Sequence, residues 1–202
     1  GDICSLIDKC SGKEMVRPGD AFSLLCWDDN WSGNWPAWEI FKFVMDREPG
    51  KVNEDVRISV EENGPLRASL RVERRLGPSV FVQHIRLTDG AMDERIDILC
   101  EFDWQSRESL LKASFPTPFE PETASYDLGM AHIERGVNTE IAYEVYAHGW
   151  ADVSAPDGSA GLTIMNDGKY GWDHPDAGTL RLTLLHTPKT DRAWDTFQTS
   201  MD

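Results

Sequence analysis

Residues 66–74 read Leu-Arg-Ala-Ser-Leu-Arg-Val-Glu-Arg, and the order of apolar and polar side chains in them decides the fold class. Leu66, Ala68, Leu70 and Val72 alternate with Arg67, Ser69, Arg71 and Glu73. Successive side chains of a strand point to opposite faces, so this period of two describes a strand buried on one side. Gly77-Pro78 is a turn signal. Residues 79–87 resume the alternation, Thr88-Asp89-Gly90 breaks it, and residues 95–104 form a third strand candidate. Further candidates lie at 110–115, 141–146, 161–165 and 180–185, most of them separated by clusters of Gly, Pro, Asp and Asn. No long stretch carries the helical period. The best helical candidate, residues 38–46, is short and reads equally as strand or loop. No repeat or low-complexity tract interrupts the pattern. The expectation is an all-β chain: one large antiparallel β-sandwich over residues 1–202, with two sheets sharing a core.

Composition narrows the function. A hydrophobic fraction of 40% and an aromatic fraction of 10% suit a packed soluble protein. Acidic groups outnumber basic ones by 35 to 20, and the net charge of -15 repels a phosphate backbone, so no nucleic-acid partner is expected. The same charge serves solubility. No apolar run approaches the roughly 18–20 residues of a membrane span, so no membrane partner is expected. The chain starts at Gly1 without a basic segment followed by an apolar one. Cys4, Cys10, Cys26 and Cys100 lack zinc-knuckle spacing. Cys26 and Cys100 sit in apolar runs and read as small core residues, while Cys4 and Cys10 could pair.

Three stretches concentrate chemistry. Residues 26–40 hold four tryptophans and three carboxylates. Aromatic faces stack on the C–H faces of sugars, and carboxylates accept hydrogen bonds from sugar hydroxyls. The same stretch also reads as a loop folded over the end of the sandwich, with some rings buried for core area. Residues 164–173, Ile-Met-Asn-Asp-Gly-Lys-Tyr-Gly-Trp-Asp, carry a turn signal that local chemistry alone explains, because Asn, Asp and Gly tolerate positive φ. The third is the pair of stretches 131–135 and 146–150, with His132, His148 and Trp150. A lone histidine on a strand is more often packed than catalytic. Asp173-His174-Pro175-Asp176 has metal-friendly residue types but too few of them to argue for a site. Nucleophile elbows, phosphate-binding loops, zinc-binding helices and dinucleotide fingerprints are all missing from the sequence. Many carboxylates are present, but none stands out as a glycosidic acid–base pair.

Taken in order, several stretches resemble one family. They are 3–9 with 12–14, Trp35-Pro36-Ala37-Trp38-Glu39-Ile40, 110–116, 138–140, 147–154, and Met165-Asn166-Asp167-Gly168-Lys169-Tyr170-Gly171-Trp172-Asp173 leading to 180–185. This series resembles the C-terminal β-domain of glycoside hydrolase family 38, the α-mannosidases, in their cytosolic and bacterial type. The resemblance implies a β-supersandwich of the galactose-mutarotase kind. It also implies a zinc-dependent retaining exo-α-mannosidase whose nucleophile and zinc ligands lie in an N-terminal catalytic domain. No catalytic or metal-binding residue is then expected here, and the chain alone is expected to be inactive.

The resemblance further implies a cytoplasmic location, a mannoside oligosaccharide or glycoside as ligand, and the N-terminal catalytic domain as partner. The positions matching its cleft-side motifs are Asp28, Asp29, Trp35, Trp38, His148, Asn166, Asp167, Lys169 and Tyr170. Some positions depart from the pattern: Pro36 and Glu39 replace two aspartates, and Gly149 and His186 each replace an arginine. Residues 198–202 fall where the family usually continues into another strand. An edge exposed there would favour association into a homo-oligomer. A free-standing carbohydrate-binding module and a purely structural sandwich are the alternatives.

Overall fold

The computed structural model describes residues 1–31, 35–90 and 95–189. The expectation concerning an edge at 198–202 lies outside these residues, as do residues 32–34 of the tryptophan-rich stretch. In chain order the elements are β1 (Ser23–Asp28), α1 (Lys42–Met45), β2 (Gly50–Lys51), β3 (Glu54–Asn63), β4 (Arg67–Leu76), β5 (Ser79–Thr88) and β6 (Ile96–Asp103). They continue with β7 (Ser109–Pro116), β8 (Ala124–Asp127), β9 (His132–Arg135), β10 (Val145–Tyr146), β11 (Trp150–Ser154), β12 (Gly161–Met165), β13 (Gly171–Asp173) and β14 (Thr179–Thr187). The chain is all-β, as the alternation predicts, and every strand pairing is antiparallel. No helix among the described residues is long and apolar enough to cross a membrane.

The described residues gather into two compact units. The smaller contains Gly1 and residues 52–106. Its β3-β4-β5-β6 sheet is a meander. The register sets Val60 opposite Leu70, Leu70 opposite Ile85 and Ile85 opposite Ile98, which puts the apolar members of residues 66–74 on one face. Val72 and Phe81 on that face are buried, whereas Ile58, Val60, Leu70 and Leu87 are exposed.

The larger unit holds residues 2–51 and 107 onward. It pairs a six-stranded sheet, β10-β13-β14-β7-β1-β2, with a four-stranded one, β12-β11-β8-β9. Trp172, Leu180 and Leu182 from the first pack with Tyr126, Ala151, Val153 and Ile164 from the second in one apolar cluster. This is a face-to-face sandwich. Strand β7 lies inside the six-stranded sheet and is buried along most of its length.

The opposite face of that sheet is covered as well, by Trp27, Leu110 and Val44 with Ile40, Phe41 and Met45. Trp27 donates its indole N–H to the Arg47 carbonyl at 3.0 Å. The helical candidate at 38–46 becomes the four-residue α1, whose Val44 enters this cluster. The strand candidate at 141–146 shrinks to the two residues of β10. A turn closed by the Thr139 hydroxyl on Ala142 N–H occupies its start. Beyond it the Tyr143 hydroxyl reaches the Ile40 carbonyl at 3.0 Å, while Ile141 stays exposed. None of the four cysteines forms a disulfide. Cys26 and Cys100 are half-buried rather than fully in a core, and Cys4 and Cys10 are exposed and unpaired.

Candidate functional site

Strand register brings most of the singled-out residues to one end of the six-stranded sheet. Asp28 pairs with Ser109, which pairs with Thr187, so the end of β1, the start of β7 and the end of β14 share a rim. Trp172 pairs with Leu182 and Tyr146 with Gly171, so the start of β13 and the end of β10 face the same way. Strands β1 and β13 are three spacings apart, about 14 Å. The residues fall into two groups along this end.

The first group surrounds Asp29, which is 2% exposed. Its carboxylate Oδ2 lies 2.9 Å from His186 Nε2, and its backbone N–H donates to the Glu108 carbonyl at 2.7 Å. Lys189 Nζ donates to Asn30 Oδ1 at 2.6 Å and pairs with Glu108 at 3.6 Å. Asp28 is exposed, and its Oδ1 accepts from Asn30 N–H at 2.9 Å.

The tryptophan-rich stretch divides between its two readings. Trp27 is buried and Trp31 packs edge-on against Phe41 and Phe43. Trp35 and Trp38 remain 49% and 78% exposed, with ring centroids 5.6 Å apart and planes nearly perpendicular. Trp35 has φ of 64°, a conformation uncommon for so bulky a side chain.

The second group is a pair of loops joined through Asn166. Its Oδ1 accepts from Lys169 N–H at 2.6 Å, and its Nδ2 donates to the His148 carbonyl at 3.2 Å. Gly168 has φ of 84°, the left-handed geometry that the Asn-Asp-Gly signal predicts. The turn thus forms as local chemistry dictates, and its side chain also ties the neighbouring loop. Tyr170 is 60% exposed and meets the His148 ring edge-to-face at 6.0 Å. Asp167 and His148 are exposed and Lys169 is half-buried.

Sequence reading passed over Asp127, which anchors this group. Its two carboxylate oxygens accept from Gly129 N–H at 2.7 Å and Gly149 N–H at 2.8 Å. Those two backbone donors hold its carboxyl below the usual carboxylate range. No spacing pattern announces such a residue, because both of its partners are main-chain groups.

Beneath the rim lies a buried ionic network. Lys112 is fully buried and its Nζ meets Asp173 Oδ1 at 2.7 Å and also Glu144. Arg181 donates to Asp173 Oδ2, at 2.8 Å from Nε, and its guanidinium lies 4.9 Å over the Trp27 ring. Asn138 Nδ2 also donates to that oxygen at 3.1 Å, and the Thr183 hydroxyl donates to Glu144 at 2.6 Å. The network is chemically satisfied and closed.

The metal-friendly residues at 173–176 serve separate ends. Asp173 belongs to this network, His174 is buried and accepts from Gly178 N–H at 3.4 Å, and Asp176 accepts from Arg17 at 2.6 Å. Among the described residues no three His, Cys, Asp or Glu side chains gather to hold a metal ion. The zinc implied by the resemblance does not fit the residues described here, and no chemical step is assigned to it.

The family model of the glycosyl hydrolases family 38 C-terminal domain matches residues 1–193. The chain belongs to this family. It is 27% identical over 199 residues to the alpha-mannosidase 2C1 of Mus musculus and, equally, to that of Homo sapiens. It is 26% identical over 211 residues to an alpha-mannosidase of Saccharomyces cerevisiae. Each match takes in 96% of this chain but 19% of the relative, so the chain spans about a fifth of the length of these relatives. Two solved structures share the fold. One is a protein in glycosyl hydrolase family 38 from Enterococcus faecalis, with a TM-score of 0.72 at 16% identity, covering 91% of this chain and 24% of that one. The other is an alpha-mannosidase from Enterococcus faecalis V583, with a TM-score of 0.73 at 14% identity, covering 98% of this chain and 28% of that one. Membership accounts for the all-β architecture of a family 38 C-terminal domain.

Proposed function

We propose that this family 38 domain is the C-terminal part of an enzyme that hydrolyses terminal α-mannosides. Its rim loops wall the sugar cleft, and the catalytic groups come from the N-terminal part of the same polypeptide. The observation that carries this reading is the family match across residues 1–193.

Retaining hydrolysis needs two carboxyl groups about 5–5.5 Å apart and free to act. The carboxylates buried or anchored at this rim are engaged: Asp29 by His186, Asp127 by two backbone N–H groups, and Asp173 by Lys112 and Arg181. Held in this way, they shape the rim and are not free to act as a catalytic pair. In the proposed site Asp28, Asn166, Asp167 and Lys169 offer hydrogen bonds to hydroxyls, whereas Asp29, expected among them, is buried against His186 and shapes the rim instead. Trp35, Trp38, His148 and Tyr170 offer ring faces. The zinc that the resemblance implies would be held by residues of the N-terminal part and not by this chain.

The exposed free thiols of Cys4 and Cys10 support a cytoplasmic location, where thiols stay reduced. The bare Ile58, Val60, Leu70 and Leu87 support burial of that sheet face against another surface, in the same polypeptide or in a second copy.

The test is an aryl α-mannoside assay. This chain alone should give no turnover, and Asn166→Ala or Tyr170→Ala in the enzyme containing it should raise KM with smaller change in kcat. Turnover by the 202 residues alone, or unaltered kinetics in both folded variants, would remove the reading. The exposed pair Trp35 and Trp38 favours a second one, a sugar-binding module that works without catalysis.

A further inference from the structure

The outer face of the four-stranded sheet carries a feature that the cleft reading does not use. On its inner face Tyr126, Ala151 and Ile164 enter the core. The residues between them therefore point outward. Asp152 pairs with Thr163 on one side and Ser125 on the other, and Trp150 pairs with Met165. His132 on β9 brings its ring to 6.5 Å from that of Trp150, at an interplanar angle of 38°. These six side chains line an open, shallow depression of about 480 Å³.

The chemistry inside it is specific. Asp152 is held in place from both sides: the Ser154 hydroxyl donates to Oδ1 at 2.7 Å and the Thr163 hydroxyl to Oδ2 at 2.7 Å. An ionised carboxylate has about four acceptor positions, so each oxygen still accepts another donor. Trp150 and His132 supply apolar ring surface beside it, and Met165, 65% exposed, supplies a flexible apolar edge. A fixed acceptor, two hydroxyls and a ring face within one hollow are complementary to a pyranose, which presents an apolar C–H face and a fringe of hydroxyl donors. Asp152, nearby Glu134 and the net charge of -15 disfavour anionic sugars.

We infer that this face is a second carbohydrate-binding site, selective for a neutral pyranose and separate from the rim loops. It holds a sugar without transforming it. The inference does not depend on the mannosidase reading, because any neutral glycoside with an accessible C–H face meets the same chemistry.

Titration of this chain with methyl α-mannoside, followed by tryptophan fluorescence and by amide chemical shifts, tests it. Saturable shifts in β11 and β12 are expected, weakened at least about tenfold by Trp150→Ala. Asp152→Asn keeps the carboxylate's shape, and Thr163→Val leaves the strand intact. Both should weaken the same shifts even if Trp150→Ala perturbs folding. Trp38→Ala and Tyr170→Ala should leave them unchanged, and mannose 6-phosphate should bind more weakly than the neutral glycoside. The inference is overturned by an absence of shifts in β11 and β12 up to about 100 mM ligand, a concentration at which even the weak end of carbohydrate affinity registers. It is equally overturned if the shifts respond to Trp38 or Tyr170 and not to Trp150.

Discussion

Asp29 and His186 lie 157 positions apart in the sequence and meet at 2.9 Å across the rim of the six-stranded sheet. Asp29 follows β1, His186 is in β14, and β7 runs between those two strands. Their contact, with Asp29 N–H on the Glu108 carbonyl, ties three strands together at the rim. Removing Asp29 leaves the imidazole without this acceptor and opens a buried polar position. Asp29→Ala should lower stability by about 1–3 kcal/mol, and adding His186→Ala should cost little more. Urea denaturation of the double-mutant cycle measures the coupling. Additive losses would show that the two residues act independently.

Lys112 supports the same sheet from beneath. It is fully buried between the carboxylates of Asp173 and Glu144. Replacing it with Met keeps the aliphatic volume but removes the cation between the buried Asp173 carboxylate and the partly exposed Glu144 carboxylate. Lys112→Met should therefore cost about 3–5 kcal/mol. The double variant Lys112→Met with Glu144→Gln should recover part of that loss, since one of the stranded charges is removed. A loss below about 1 kcal/mol in the single variant would mean that water reaches and screens the site.

Acid should destabilise the fold through specific carboxylates. The Ser5 hydroxyl, followed by the N–H groups of Leu6 and Val16, holds the Glu14 carboxyl at about 2. Burial pushes the Asp173 carboxyl up, but Lys112 and Arg181 outweigh it and hold the group below the usual range. Both folded values lie below the unfolded ones. The stability they contribute is complete above the unfolded carboxylate range of about 3.9–4.3, and it is lost as pH falls through the folded values. Unfolding free energy measured from pH 6 down to pH 2 should fall with acidification, and Glu14→Gln should flatten the part of the slope above pH 2. A profile unchanged by that substitution would mean that Glu14 is equally acidic in the unfolded chain.

The strands were legible because alternation survives wherever one face is buried and the other is wet. Residues 66–74 and 79–87 have that pattern and fold as β4 and β5. Strand β3 carries the same alternation at Val56, Ile58 and Val60 within Glu-Asp-Val-Arg-Ile-Ser-Val-Glu-Glu-Asn but was not singled out, its short apolar series being flanked by charged and amide residues. It is mostly exposed and irregular in register at two points. Lys112 could not be recognised as buried, since its neutralising partners come from 32 and 61 positions away. The turn at 166–169 was legible from its own residues, whereas Asp127 and the Asp29–His186 contact depend on register between distant strands. The ring and carboxylate of Trp150 and Asp152 were visible two apart in sequence, but the hollow they share with His132 and Thr163 exists only once four strands align.

Asn166 is where local turn chemistry and rim organisation coincide. Its carbonyl oxygen caps Lys169 N–H and its amide holds the loop of His148, beside the backbone bonds from Asn166 N–H to the Gly149 carbonyl and from Ala147 N–H to the Tyr170 carbonyl. Asn166→Ala removes both functions and should lower stability by about 1–2 kcal/mol. Asn166→Asp retains the acceptor for Lys169 but loses the donor to His148, so its effect should be intermediate. Gly168→Ala strains the same turn through its positive φ without touching the His148 loop. Amide hydrogen exchange separates the three variants. Lys169 should lose protection in Asn166→Ala and keep it in Asn166→Asp, while Ala147 and Gly149 on the neighbouring loop should exchange faster in both. If only the Lys169 amide responded to Asn166→Ala, the side chain would be a turn cap alone, and the two loops would be held together by the backbone bonds from Asn166 N–H to the Gly149 carbonyl and from Ala147 N–H to the Tyr170 carbonyl.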